Sequence, residues 1–280
     1  MSVRRLSAGL MAAALLTPGV AACATTGDGT AGPTATPSAT VTGTAAAPEG
    51  DAAAKQALLD STREIGNGNF RFRMSGAGST AEGQVHQPSQ SAELRMSIGE
   101  AGDDLAMTLD LIHATPDSWV KLDLSGAAAA SVPGRDRLSL GKYQHLDQSR
   151  IKGNRNLGFD FDQVDPAGSE VLTQAVTEVR RTGEGAYAGT IDVSKATEAG
   201  SLDQGLITAL GAQANSVPFT ATTDAQGRLT ELVLQIPAAG QVQAQEIRVT
   251  YSDYGNATAA QKPPADQVVE APPELYNLFD

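Results

Sequence analysis

Apolar and polar residues alternate along successive stretches of the chain, and this alternation is the strongest constraint on its fold. In FRFRMS, Phe70, Phe72 and Met74 point to one side of a strand, while Arg71 and Arg73 point to the other. Strands with one apolar side are typical of antiparallel sheets that bury one face. The pattern recurs in AELRMSI (92–98), LAMTLDL (105–111), VKLDL (120–124), YAGTIDV (187–193), VPFTATT (217–223), LTELVLQI (229–236) and EIRVTYS (246–252). The sequence therefore predicts about nine antiparallel strands.

Three short segments with helical periodicity accompany the strands. Segment 51–65 places Leu58 and Ile65 on one face, and further helices are predicted at Ser169–Val176 and Ser201–Gly211. The fold class is therefore α+β: a single antiparallel sheet with a few short helices. A sheet of this size must curl, close or be covered. If the helices cover it incompletely, an apolar hollow remains; the alternative is that loops fill the space.

The N-terminus is typical of a secretory signal peptide. Arg4 and Arg5 precede an apolar run at 6–16, shorter than the roughly 20 residues that span a bilayer. Residues 20–23 read Val-Ala-Ala-Cys, which resembles the bacterial lipobox, and Cys23 is the only cysteine. In such signals a diacylglycerol is attached to the cysteine sulfur, and cleavage falls just before it, here between Ala22 and Cys23. The alternative is an ordinary signal peptide followed by a chance cysteine.

This anchor predicts the domain organisation and the location of the protein. Residues 1–22 form the signal peptide, and residues 23–51, rich in Thr, Ala and Pro, form a tether expected to be disordered. The folded domain is expected at 52–256, followed by a Pro-rich tail at 257–280. Lipoprotein-processing enzymes would leave the protein lipid-anchored at the outer face of the cytoplasmic membrane, in the cell envelope.

Charge excludes two classes of partner. Without residues 1–22 the chain keeps 18 basic and all 32 acidic residues, a net charge of −14. Binding to nucleic acid or to anionic lipid surfaces needs clustered Lys and Arg. The membrane contact is therefore expected through Cys23 alone.

The order of these elements resembles the actinobacterial LppX/LprG lipoproteins, which belong to the fold group of the LolA/LolB lipoprotein carriers. The resemblance covers about residues 52–256, and its cues are ALLDST (57–62), DSWVKLD (117–123), GKYQHLD (141–147), VPFTATTDAQGRLTELVLQIP (217–237) and EIRVTYSDYG (246–255). It implies a half-barrel whose concave face, capped by helices, encloses a cavity for acyl chains of an envelope lipid or glycolipid. Members of the family carry or present such lipids.

The residues predicted to line that cavity are the inward-facing apolar ones. They come from the strands, with three helical residues as a lid, and each is also compatible with a plain core position. They are Phe70, Phe72, Met74, Leu94, Met96, Leu109, Leu111, Leu232, Leu234, Ile247 and Val249, with Leu58, Leu202 and Leu206 as the lid.

No catalytic, cofactor or metal site is predicted, and the protein is not expected to be an enzyme. The three histidines, His86, His113 and His145, lack metal-ligand spacing, so a surface or strand-edge role is favoured. DFDQVDPAGSE (160–170) begins like a calcium loop, but the fifth and twelfth positions counted from Asp160 are Val164 and Val171, which favours a solvated loop with a helix cap. No P-loop or G-x-S-x-G motif is present.

Two functional hypotheses follow. In the first, the protein binds the acyl chains of a lipid or glycolipid and carries or presents it to an acceptor that the sequence does not identify. In the second, the same fold has a filled core and acts as an interaction or regulatory module of the envelope. A continuous apolar cavity well above ~300 Å³ would favour the first.

Overall fold

The computed structural model describes residues 51–76, 78–100, 102–154, 156–197, 199 and 202–279. Within these residues the protein is an α+β domain with six short α-helices and twelve strands. The helices are α1 (Asp51–Ser61), α2 (Arg63–Gly66), α3 (Gln148–Ile151), α4 (Ser169–Gln174), α5 (Gln204–Leu210) and α6 (Pro273–Leu278). The strands are β1 (Asn69–Gly76), β2 (Ser79–His86), β3 (Ser91–Ile98), β4 (Ala106–Ala114), β5 (Asp117–Ser125), β6 (Tyr143–His145), β7 (Val176–Gly183), β8 (Ala186–Ile191), β9 (Val217–Thr223), β10 (Leu229–Ile236), β11 (Gln245–Ser252) and β12 (Val268–Glu270).

All twelve strands form one open, curled sheet in the order β12-β6-β5-β4-β3-β2-β1-β11-β10-β9-β8-β7. Every pairing is antiparallel except that of β12 with β6. The register aligns the predicted apolar residues: Met74 pairs with Val249 on β11, and Met96 pairs with Leu109 on β4. The predicted α+β class with a large antiparallel sheet is therefore confirmed, with twelve strands rather than about nine.

Two of the strands that the pattern did not reveal, β2 and β7, lack bulky alternating residues. On β2 the inward positions are Ala81, Gly83 and Val85. A Cβ at Gly83 would lie 2.9 Å from the Phe72 ring, so a small residue here makes room for a large neighbour. The edge strand β7 carries register shifts and charged residues, which hide its period.

The helices cover the apolar face of the sheet, which we define as the face that carries Phe70, Phe72 and Met74. Leu58 of α1, Leu172 of α4 and Leu210 of α5 pack with the apolar residues of β1 and β7–β11. The predicted segment 51–65 forms two helices, α1 and α2, separated at Thr62. The other two predicted helices, α4 and α5, are confirmed with shorter bounds.

The core on this face divides into two clusters. The first cluster joins β1, β2 and β7–β11 to α1, α4 and α5. The second cluster joins β4 and β5 to α3 and α6, and includes Leu109, Leu122, Leu157 and Leu275. Leu94 on β3 packs against both clusters. One continuous alternating pattern therefore supports two separately covered cores.

The prediction that the domain ends at residue 256 and is followed by a tail is wrong. Residues 257–280 include β12, which extends the sheet, and α6, whose Leu275 is fully buried in the second cluster. On the way, Lys262 binds Asp117 and lies over the Trp119 ring. The prolines favour an extended chain, and residues 261–267, which we call the strap, run across the sheet in this form.

The predictions for the signal peptide, the tether before Asp51, and Ala22 and Cys23 lie outside the described residues.

Candidate functional site

Most of the residues predicted to line a cavity are sealed in the core. Phe70 and Leu58 are 0 % exposed, and Leu109 is 2 % exposed. Seven more of the predicted residues are also buried: Phe72, Leu111, Leu202, Leu232, Leu234, Ile247 and Val249. A side chain that a water-sized probe hardly reaches cannot line an open hollow that would admit an acyl chain. The core is filled at these ten positions.

The remaining predicted residues, Met74, Leu94, Met96 and Leu206, are half-buried. Met74 and Met96 belong to a set that we call the apolar strip: Met74, Met96, Ile98, Leu105, Met107 and Leu124. Ile98 and Leu105, with 42 % and 44 % exposure, are the exposed large hydrophobic residues of the part of the chain that the structure describes. Accessible apolar surface is thus concentrated in this strip.

The strand register brings the strip together at one end of the sheet. Ile98 near the end of β3 pairs with Met107 near the start of β4, and Met107 pairs with Leu124 on β5. Met74 lies at the same end of the sheet, separated from Met96 by Ala81 of β2. Met96, Met107 and Leu124 pack against the second cluster, so the strip continues into that core.

The backbone beside the strip is closely packed. Gly126, with φ +97°, follows β5, and a Cβ there would lie 2.5 Å or less from the carbonyl oxygens of Asp103 and Asp104. The Ala128 amide donates a hydrogen bond of 2.7 Å to the Asp104 carbonyl. These contacts hold the chain after Leu124 against the turn that precedes Leu105. The end of the strip formed by Leu105 and Leu124 is therefore held in place by the backbone.

Gln144 is an unsatisfied polar group on the apolar face. It lies on β6 opposite Val120 of β5, and both residues are 0 % exposed. Neither Nε2 nor Oε1 has a hydrogen-bond partner among the described residues. Leaving a buried amide unsatisfied typically costs about 1–3 kcal/mol. A polar pair without hydrogen-bond partners therefore lies beside Val120 of the second cluster.

The cover of the second cluster comes from the end of the chain. Leu275 and Tyr276 of α6 are 0 % and 4 % exposed. The Tyr276 hydroxyl accepts a hydrogen bond of 2.8 Å from the Asp147 amide, and the Arg150 guanidinium lies 3.8 Å from the centre of the Tyr276 ring. Before α6, the chain is attached to the sheet by the three-residue parallel pairing of β12 with β6 and by the ion pair of Lys262 with Asp117. A short helix on a short edge strand thus covers this half of the core.

A groove of about 1050 Å³ lies on the opposite, polar face of the sheet. Its floor carries a row of alternating charges across β1–β5, in which Arg73 pairs with Glu82, and Asp110 binds both Arg95 and Lys121. The strap at 261–267 forms its wall. Because these charges are paired with one another, this groove is chemically unlike the predicted acyl cavity.

The buried hydroxyl groups of Tyr251 and Ser169, on the apolar side, are hydrogen-bonded within the protein. The Tyr251 hydroxyl donates to Asp165 and lies 2.8 Å from the Ser169 hydroxyl, and its burial raises its pKa well above the ordinary value. Asp165 also accepts bonds from the amides of Gly168 and Glu170 at the start of α4. The predicted helix cap is therefore present at Asp165, whereas Val164 and Ala167 of the same loop are buried rather than solvated.

The histidines do not share a site. His113 is 5 % exposed, its Nδ1 lies 2.8 Å from the Ser118 hydroxyl, and burial lowers its pKa to about 4. A surface or strand-edge role is therefore wrong for His113. Among the described residues, no three His, Cys, Asp or Glu side chains lie close enough to hold a metal ion.

Several residues of this site were not selected from the sequence. Ile98, Leu105, Met107 and Leu124 stand at inward positions of alternating stretches, so their direction was readable but their exposure was not. Gln144 carries no such signal, because its face is set by the pairing of β6 with β5. It lies between Val120 of β5 and Val269 of β12, and local periodicity does not reveal these distant pairings.

Within the described residues, no helix has the length and apolar content needed to cross a membrane. The sequence matches no protein-family model and no curated protein. The LppX/LprG resemblance therefore stays a prediction from the residue pattern.

Proposed function

We propose that this protein is a membrane-anchored cell-envelope lipoprotein that binds acyl chains of a lipid or glycolipid at the apolar strip and carries or presents it. The proposal includes a LolA-like half-barrel as the fold and Cys23 as the lipid anchor at the outer face of the cytoplasmic membrane. It is a binding function and involves no catalytic step.

The observation that carries the proposal is the composition of the strip. Of the five methionines in the chain, the three beyond residue 50 are Met74, Met96 and Met107, and all three belong to it. Methionine is flexible and polarisable, and surfaces that adapt to varied apolar ligands use it often. Exposed apolar residues that lie together are typical of binding sites. The strip therefore supports an adaptable contact for hydrocarbon.

The filled core limits where an acyl chain can enter. The first cluster is closed at Phe70, Leu232 and Val249, so binding there would require wholesale unpacking. At the strip, half-buried side chains can move aside without leaving a cavity elsewhere. Transfer of a chain from a membrane to this surface exchanges one apolar environment for another, at little net cost.

The runner-up function is an envelope interaction module without lipid cargo. It is favoured by the ten filled positions and by the groove of about 1050 Å³ on the polar face. Its partner would contact the polar face, and mutations in the strip would leave that binding unchanged.

The decisive experiment places one charge on each face of the same strand. Ile98→Glu adds a carboxylate to the exposed strip, and the matched control Ser97→Glu adds it to the polar face, where Ser97 pairs with Thr108. We expect Ile98→Glu to remove co-purified lipid, measured by mass spectrometry, while Ser97→Glu retains it. Equal lipid in both variants, or none in the parent protein, would reject acyl binding at the strip.

The anchor is tested separately by Cys23→Ser. We expect this variant to leave the membrane fraction or to stay unprocessed, because lipid attachment requires the thiol. A processed variant that remains wholly membrane-bound would reject the lipoprotein assignment without affecting the strip.

A further inference from the structure

The buried amide of Gln144, beside Val120 of the second cluster, has no hydrogen-bond partner among the described residues. Buried side-chain amides normally have partners, and an orphan calls for a specific explanation. A buried water would need two to four polar partners. On the same face, His113 and Ser118 are the next cross-strand pair, with Nδ1 of His113 2.8 Å from the Ser118 hydroxyl, and the Tyr276 hydroxyl accepts a hydrogen bond from the Asp147 amide.

A row of cross-strand neighbours connects this amide to the strip. Leu94 lies next to Met96 on the apolar side of β3 and pairs with Leu111, which pairs with Val120, which pairs with Gln144. Three strand spacings separate Leu94 from Gln144, or about 14 Å. An eighteen-carbon acyl chain is long enough to cover this distance. A chain that enters at the strip can therefore reach the amide by following the row.

The end of the chain covers the second cluster, to which Leu111 and Val120 of this row belong. Side chains of α6 and the residue after it, Leu275, Tyr276, Leu278 and Phe279, pack on the second cluster. Phe279 is held through its carbonyl, which accepts bonds of 3.3 and 3.2 Å from the side-chain amides of Asn154 and Asn156. A ligand chain would take the place of these side chains, and it would not disturb the first cluster.

We propose that Gln144 is the specificity-determining polar contact of the acyl site, and that it hydrogen-bonds a hydroxyl group carried along the hydrocarbon of the ligand. The inference rests on the proposed function and narrows its ligand to acyl chains that bear a hydroxyl group. An amide can both donate to and accept from a hydroxyl. A site built for such a group discriminates against the analogue that lacks it, because the amide is then left unpaired.

The test compares the parent protein with Gln144→Met, which keeps a similar shape and removes the polar pair. Gln235→Met, on the exposed polar side of β10, is the matched control. The probes are octadecanoic acid and a series of monohydroxyoctadecanoic acids that differ in hydroxyl position. Binding is measured by calorimetry, and the thermal midpoint Tm is measured without ligand.

We expect the parent and Gln235→Met to bind at least one hydroxy isomer about tenfold more tightly than octadecanoic acid. We expect Gln144→Met to lose this preference while it still binds octadecanoic acid, and to raise Tm by about 2 °C or more, because the buried orphan is gone. An unchanged or lower Tm, or a hydroxyl preference that survives Gln144→Met, would overturn the inference. Binding of octadecanoic acid with no hydroxyl preference in the parent would overturn it alone, whereas failure of every probe would overturn the proposed function as well.

Discussion

The two clusters of the apolar face are built on the same alternating strands but differ in how they are covered. In the first cluster, α1, α4 and α5 seal Phe70, Leu232 and Val249 almost completely. In the second, the cover is α3 and α6 with the connecting chain, the cluster borders the half-buried Met96 and Met107, and the unsatisfied amide of Gln144 lies beside its Val120. The difference lies in the cover, because both halves of the sheet present bulky inward residues.

This contrast shows where the domain can respond to a ligand. A fully packed cluster resists change, since any rearrangement exposes apolar surface or opens a cavity. The half-exposed side chains of the apolar strip bury less apolar surface, so their rearrangement costs less free energy. Substitutions at buried and at half-exposed positions test whether the free energy of unfolding depends on them as differently as their burial suggests.

The largest expected effect is on a large side chain of the first cluster. Phe70→Ala removes a fully buried ring that contacts Phe72 and Tyr251, with centroids 6.3 and 5.4 Å away. We expect it to lower the free energy of unfolding by about 3–5 kcal/mol. The matched change in the strip, Met107→Ala, should cost about 1 kcal/mol, because Met107 is already half-exposed. Urea unfolding measures both, and equal losses would show that the halves do not differ.

A second comparison uses two residues that face each other across β3 and β4. Leu109 is 2 % exposed, so Leu109→Trp overpacks the core and should cost about 1–3 kcal/mol. In Met96→Trp the added ring can extend along the open strip, so stability should hold while co-purified lipid falls. Thermal unfolding and lipid mass spectrometry decide the point. A Met96→Trp protein as unstable as Leu109→Trp would mean that the strip is part of the packed core.

The third comparison concerns pH and the buried His113 on the apolar face. Its folded pKa of about 4 lies below the ordinary 6.5, so the folded state binds fewer protons than the unfolded state between these values. Stability should therefore fall as pH drops from 7 to 5, by about 2 kcal/mol from this residue. Unfolding free energies of the parent and of His113→Gln across this range test it. An equal pH dependence in both proteins would contradict the assignment.

The smallest expected effect comes from deletion of residues 24–50. This segment carries no periodic apolar pattern, so its removal should change the unfolding free energy by less than about 0.5 kcal/mol. A large drop in the unfolding midpoint would mean that the segment packs against one of the two clusters. Circular dichroism melts of the parent and the deletion variant are sufficient.

Periodicity predicted most of the fold but little of the site. Alternation gave the correct inward direction for Phe70, Leu109 and Val249, since side-chain direction is a local property of a strand. It could not give depth, which depends on the segment that lies above each residue. The role of α6 was missed because its contacts are with strands more than one hundred residues away in sequence. The prolines around it locally favour an extended chain.

The most direct test of acyl binding at the strip uses the methionines themselves as probes. The protein is prepared with ¹³C-labelled methionine methyl groups, and the signals of Met74, Met96 and Met107 are assigned by single substitution with leucine. Titration with octadecanoic acid should shift all three methyl resonances, and the three shifts should saturate at a common affinity. The same titration of the Ile98→Glu variant should produce no shifts. Methyl resonances that do not move while octadecanoic acid binds elsewhere, or no binding at all, would contradict the account.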